Sequence, residues 1–261
     1  NPAQDGPRIW EEPYGPSIIA NYALLAQRHM HEFGTKLEHL AEIAVSSRLH
    51  AANNPNALKK DPLTIEEVVN APRVADPLGR HDCCVVSDGG GAIIMTTAER
   101  ARDLKQKPIW ILGSATSATH WNVGQMADLT VTGAATCGPE AFARAGLRPQ
   151  DVDTLQLYDS FTITVLLLLE GLGFCGRGEG GPFVAEGHLR PGGRFPTNTD
   201  GGGLSSCHPG MRGIFLLIES VLQLRGQAHG RQVPDAKVAL ACGSGGQASY
   251  ISTVILGRDR P

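Results

Sequence analysis

Aromatic side chains are scarce. Phe, Trp and Tyr make up 5% of the sequence, too few for the stacking platforms on which proteins lay single-stranded bases. The formal net charge is −3, which gives no electrostatic reason to expect a nucleic-acid partner. The six cysteines (Cys83, Cys84, Cys137, Cys175, Cys207 and Cys242) never fall into a Cys-x-x-Cys pair. The histidines show no zinc-ligand spacing, so no metal is expected and the thiols read as free, small and apolar. Long apolar runs are missing too. The longest lies around 165–169, far short of the ~20 residues that span a bilayer. The first fourteen residues are polar and Pro-rich, without the pattern of a signal peptide. A cytoplasmic chain without a membrane span is expected.

What is present suits a layered fold. A chain of 261 residues, 41% hydrophobic, is long enough for one large core or two modest domains. Its 32 glycines cluster in particular loops with no fixed period, which excludes collagen-like and low-complexity readings. Residues 16–33 read as a helix, with Pro16 in the first turn and Gly34 as the stop. Thr35-Lys-Leu-Glu38 and Thr64-Ile-Glu-Glu67 have the form of capping boxes opening two further helices. Beyond Pro77 the texture changes. Residues 83–95, rich in small and β-branched side chains around Asp88-Gly-Gly-Gly91, read as a buried strand. Helix is expected at 97–104, 138–145, 161–172 and 211–224, and strand at 108–113 and 153–157. Residues 238–241 and 250–256 suit a hairpin joined by the glycines of 243–246. Alternating strands and helices mean an α/β protein, with a helical subdomain over 1–80 and boundaries near Arg80 and Lys107.

Three segments carry chemistry. Tyr158-Asp-Ser-Phe161 sits where an apolar strand gives way to an apolar helix, and α/β folds place reactive groups at such junctions. Asp159 or Ser160 can act as a helix cap there, which leaves Tyr158 without a structural reason. The second segment is Asn198-Thr-Asp-Gly-Gly-Gly-Leu-Ser-Ser-Cys-His208-Pro-Gly-Met-Arg-Gly213. Glycines let backbone amides approach a ligand closely, and a His delivered by such a loop can donate to an oxyanion or move a proton. It can also simply cap a helix. The third is Cys242-Gly-Ser-Gly-Gly246. Its amides suit an oxyanion hole at Gly245 and Gly246, and a plain hairpin turn explains them as well.

Asp88-Gly-Gly-Gly-Ala92, Tyr158-Asp-Ser-Phe161, the Gly-Gly…His208-Pro loop and the last Gly-rich hairpin occur in the order found in the thiolase superfamily. Over almost its whole length the chain resembles the sterol-carrier or lipid-transfer type of thiolase. The resemblance implies a layered αβαβα fold. Residues 1–80 would correspond to a helical loop domain contacting CoA, 81–107 to the last strand and helix of the N-terminal half, and 108–261 to the C-terminal half. It also implies that the first third of a thiolase, with its nucleophilic Cys, lies before Asn1. One departure has consequences. Sterol-carrier-type thiolases have His-Asp-Cys-Phe where this chain has Tyr158-Asp159-Ser160-Phe161. Ser cannot replace a thiol of pKa ~8.5 as a proton carrier near neutrality, whereas Tyr at ~10 lies within reach of tuning.

The Tyr-Asp-Ser-Phe variant is similar to the lipid-transfer-type aldolases that shorten steroid side chains carried on CoA. That resemblance implies retro-aldol cleavage of a β-hydroxyacyl-CoA to a ketone and a short acyl-CoA. CoA enters as part of the substrate, and no separate cofactor is implied. It further implies a homodimer and a partner built from a zinc ribbon and an OB fold. Tyr158, His208, Tyr250 and Cys242 are the candidate catalytic residues. Gly245, Gly246, Ser160 and Asn198 are the candidates for substrate or oxyanion binding, and Cys207 is held in reserve. Two rivals stay open: a thiolase or acyltransferase using a Cys before Asn1 with Cys242 as acid/base, and a non-catalytic subunit that contributes only lipid or CoA binding.

Overall fold

A computed structural model describes residues 15 and 17–259. The expected helix-opening Pro16 lies outside the described residues. Helix α1 (Ile18–Phe33) starts where the Ser17 hydroxyl accepts the Ala20 amide, and it stops at Gly34, φ +69°, a left-handed turn that glycine adopts without a Cβ clash. Helix α2 (Leu37–Ala51) is capped by Lys36 and not by Thr35. The Thr35 hydroxyl is instead 2.7 Å from His29 Nδ1, so the expected box is displaced by a buried hydrogen bond. Thr64 does form its capping box with Glu67, opening α3 (Ile65–Val69). A two-stranded ribbon follows, β1 (Arg73–Ala75) and β2 (Leu78–Gly79).

The expected strand at 83–95 does not form. A strand needs a neighbour's backbone to complete its hydrogen bonds, and here only the first three residues find one: Cys83 bridges to Phe161, and the Cys84 and Val85 amides donate to the Ser160 and Gly203 carbonyls at 3.0 and 2.9 Å. Val86 and Ile94 are 95% and 91% exposed. After this segment come α4 (Ala98–Arg102), β3 (Trp110–Ala118), α5 (Ala134–Ala145), β4 (Thr154–Leu157), α6 (Thr162–Gly171), α7 (Gly180–Ala185), α8 (Gly213–Arg225), β5 (Val238–Gly245) and β6 (Tyr250–Gly257).

Four strands form one sheet in the order β3-β6-β5-β4, with β4 and β5 parallel and the other pairs antiparallel. The β5–β6 hairpin was expected, but its turn comes later. The ladder continues through Gly245 opposite Tyr250, because glycine backbones pair as well as any other. The pleat sorts side chains between two faces. Thr253 faces Cys137 of α5, whereas Val254 and Leu256 join Leu224 and Leu217 of α8. Helix α5 can lie close because β3 has Gly113, where a Cβ would collide with the Ala141 carbonyl. Helix α6 is apolar all round and buried from Thr162 to Glu170, the pattern of a helix enclosed on every side. It packs against α1, α2, α5 and α7. Tyr22, Leu25, Leu40 and Ile43 therefore share one apolar core with Leu155, Leu166 and Ile255. Among the described residues no helix is long and apolar enough to cross a membrane.

Candidate active site

The parallel pairing of β4 with β5 runs one residue past the strand. The Tyr158 amide donates to the Cys242 carbonyl at 2.9 Å, which fixes the backbone from which the phenol projects. Leu157 lies opposite Cys242 in register, so Tyr158, one residue on, points to the other face of the sheet. That is the face covered by α8.

Asp159 turns the chain into α6 and ties it to the Gly-rich loop. Its carboxylate accepts the Gly203 amide at 2.7 Å and the Leu204 amide at 3.1 Å. Residues Gly202–Ser206 wind into a single π-helical turn. A Cβ at Gly202 would strike the Asp159 carboxylate, and one at Gly203 would lie 2.9 Å from both Asp159 and the His208 ring. The close approach expected of these glycines is thus to the chain's own carboxylate, not to a ligand. Arg212 lies beneath the loop, fully buried. It donates to Asp200 at 2.6 and 2.9 Å and to the Cys207 carbonyl at 2.8 Å, and stands 3.3 Å from Asp159. Two carboxylates share one guanidinium. Burial pushes Asp159 up to about 6 against the pull of Arg212 and the two amides, while Arg212 holds Asp200 below the usual carboxylate range despite its burial.

This clamp delivers His208. Its amide donates to the Ser87 hydroxyl at 3.0 Å, and its ring meets Tyr158 edge to face, centroids 5.4 Å apart and planes at 85°. The phenol and the imidazole therefore converge. His208 Nε2 is buried and has no hydrogen-bond partner among the described residues. Buried polar atoms are nearly always paired, so this nitrogen is open to a water or to a ligand atom. Burial, followed by the charge of Arg212, lowers the His208 pKa, keeping the ring neutral with one N–H to give. Burial raises the Tyr158 pKa, and a backbone hydrogen bond at Arg212 opposes it.

The other candidates divide. Tyr250 opens β6, is 46% exposed, and alternates with Val254 onto the α8 face, the face of Tyr158. It makes no ring contact with Tyr158 or His208 among the described aromatic pairs. Gly245 and Gly246 lie exposed at the hairpin end, and Gly246 has φ +63°. Ser160 is buried with its hydroxyl 3.1 Å from Thr164, in the first turn of α6. Asn198, φ +55°, accepts the Leu157 amide on its side chain at 2.8 Å, which pins the loop to β4. Cys242 is sealed in. Its thiol faces α5 and accepts from Thr253 at 3.4 Å, and burial pushes it up to about 12. The acid or base role expected of it finds no support in the geometry, because the pleat puts its thiol on the opposite face from Tyr158. The reserve Cys207 is half-buried, with its sulfur 3.4 Å from Ser87.

Three residues near the site went unread in the sequence. Cys84 donates its amide to the Ser160 carbonyl at 3.0 Å, and its thiol is pushed up to about 11, chiefly by burial and next by Asp159. Arg212 had a signal: a cation ending a Gly-rich loop before an apolar helix must be paired if buried. Tyr22 had none, being one more residue on an amphipathic helix.

Residues 115–258 match the family model described as thiolase C-terminal domain-like. The acetyl-CoA acetyltransferase of Methanothermobacter thermautotrophicus is 36% identical over 251 residues, covering 95% of this chain and 66% of that protein. The steroid side-chain-cleaving aldolase of Thermomonospora curvata is 38% identical over 261 residues, covering 96% of this chain and 65% of the relative. The chain thus spans slightly less than two thirds of these relatives' lengths. A solved structure described as the Ltp2-ChsH2(DUF35) aldolase superposes with TM-score 0.92 at 36% identity, over 99% of this chain and 68% of that one.

Proposed function

Because this chain belongs to the thiolase superfamily, within its C-terminal domain-like family, we propose that the protein cleaves a β-hydroxyacyl-CoA by a retro-aldol reaction. The observation that carries this reading is the meeting of Tyr158 with His208 beside an unpaired, buried imidazole nitrogen. The thioester oxygen takes the N–H of His208. A base removes the proton of the β-hydroxyl, the Cα–Cβ bond breaks, and its electron pair passes into the thioester enolate as the ketone departs. A proton then returns to Cα, so the balance needs no redox partner and no acyl-enzyme. A phenol held in its protonated form suits the return of that proton, which favours Tyr158 as donor. Tyr250, on the same face, is the candidate acceptor from the hydroxyl. Losing one oxyanion donor typically costs ~10²–10³ in rate.

The similarity to a steroid side-chain-cleaving aldolase supports a substrate with a tertiary alcohol on a sterol ring. The Ltp2-ChsH2(DUF35) structure supports a second protein of the zinc-ribbon and OB-fold type as partner. The test uses the full-length protein with that partner and a β-hydroxyacyl-CoA, with ketone release read by mass spectrometry. Ketone appearing with a chain-shortened acyl-CoA is the expected result.

A second reading, acyl transfer, is favoured by the similarity to an acetyl-CoA acetyltransferase. It requires a nucleophilic thiol and a second proton carrier, and Cys242 is sealed away from that work. Consumption of a 3-oxoacyl-CoA with free CoA, and no ketone from the β-hydroxy substrate, would establish acyl transfer in place of the aldol reading.

A further inference from the structure

Helix α1 sends one phenol deep into the molecule behind the site. Tyr22 is 3% exposed, and its ring lies 4.6 Å from that of Phe161, the residue that ends the Tyr158-Asp-Ser-Phe161 run. Its hydroxyl accepts the amide of Ala248 at 2.9 Å. Ala248 is not glycine, yet it has φ +59°, a left-handed conformation that a Cβ makes costly. The turn around it is strapped at several points. The Gln247 carbonyl meets His120 Nε2 at 2.9 Å, the Gln247 side chain accepts the Val123 amide at 2.8 Å, and the Ser249 amide donates to Gly245 at 3.1 Å. Tyr22 is the strap that crosses from the helical segment. The hydroxyls of Ser160 and Ser244 flank it and favour its ionised form, although burial dominates and raises its pKa. By register Ser244 faces the α5 side of the sheet, and Tyr250 follows the turn directly onto the α8 side. Tyr22 therefore stands behind both branches of the site: the strand end bearing Tyr158 and the turn bearing Tyr250.

We propose that Tyr22 is a positioning residue of the active site, its hydroxyl holding the strained turn at Ala248 so that Tyr250 and Tyr158 keep their relative placement. The inference rests on the aldol reading above for its kinetic test and is independent of it for its structural one. A misplacement of about 1 Å in a reacting group can cost about 10²-fold, so small movements of this turn are enough to matter.

The experiment compares the full-length protein with its Tyr22→Phe variant, which keeps the ring and removes only the hydroxyl. Two measurements are made. In hydrogen exchange followed by mass spectrometry, the peptide spanning 244–250 exchanges about tenfold faster or more in the variant, because the Ala248 amide has lost its acceptor. Peptides of β4 and α6 do not change. In ketone release, kcat falls about 10- to 100-fold with KM within twofold, as expected for lost orientation and not lost binding. Adding Ala248→Gly to the variant removes the cost of the left-handed conformation and restores kcat about three- to tenfold. Unchanged exchange at 244–250, or a kcat within twofold of the parent, overturns the proposal. So does a double variant with no recovery, or a KM that rises in step with the loss. A parent protein that releases no ketone overturns the aldol reading alone, and the exchange result then decides the role of Tyr22 by itself.

Discussion

At the scale of single residues, two side chains on separate loops meet because one buried carboxylate binds both loops. Tyr158 and His208 are fifty positions apart in sequence, and their neighbours Asp159 and Gly203 are joined at 2.7 Å. That proximity was legible only through the order of motifs, since spacing alone cannot bring two loops together. The burial of Cys242 was not legible, because it depends on which face of the pleat that residue occupies. His208→Ala is expected to lower kcat by ~10²–10³, and Tyr158→Phe by at least ~10², read from ketone release with thermal melts close to the parent. The pH sign follows from burial. The folded His208 pKa lies below its ordinary value, so the unfolded chain binds the proton first as the pH falls. The contribution of neutral His208 is complete above ~6.5 and declines as the pH drops through that value toward the folded pKa. Melting temperatures across pH 5–8 should show this slope in the parent and a smaller one in His208→Gln. Equal slopes would remove the assignment.

Elements carry a different part of the specification. Strands β4 to β6 and helices α1 and α8 could be read from apolar patterning and from glycine stops, and α6 from its unbroken apolar run. The segment at 83–95 could not. Its composition has the texture of a buried strand, yet composition names no partner, and among the described residues its backbone pairing ends with the Val85 amide on the Gly203 carbonyl. The loop from Thr199 to Arg212 was legible as glycine-rich but not as electrostatic. Its shape depends on Arg212, whose guanidinium offsets two buried carboxylates. Removing one partner from such a group strands the remaining charges. Arg212→Met is expected to cost about 3–5 kcal/mol, lowering the melting temperature by roughly 10 °C at ~2–4 °C per kcal/mol. Arg212→Lys should recover only part of this, because an ammonium cannot reproduce the forked contact with Asp200. A melt of Arg212→Met within 2 °C of the parent, by calorimetry, would mean the carboxylates take up protons and the clamp is dispensable; the ~2 °C margin is about one kcal/mol.

For the molecule as a whole, the surface left on one flank is the feature that local patterns least revealed. Strand β3 is the outer strand of the sheet, with no further strand paired to it among the described residues. Beside it a cleft of about 1140 Å³ opens between Ile93, Ile94 and Met95, Ile111 of that strand, and Ile218 and Val221 of α8. Ile94, Met95 and Ile111 are exposed. A sheet edge to which no strand pairs among the described residues is a template for further pairing, and an apolar patch of this kind is costly to leave in water. A polypeptide of residues 1–261 produced alone is therefore expected to self-associate through this flank. Sedimentation velocity should show a weight-average mass that rises with concentration above the monomer's 27.7 kDa. Ile111→Lys puts a charge on the edge of the sheet, the means by which natural proteins blunt such strands, and Ile94→Asp puts one in the cleft. The double substitution should return the species to monomer while leaving far-UV circular dichroism unchanged. If mass still climbs with concentration in that variant, the association runs through another surface and the flank is not what drives it.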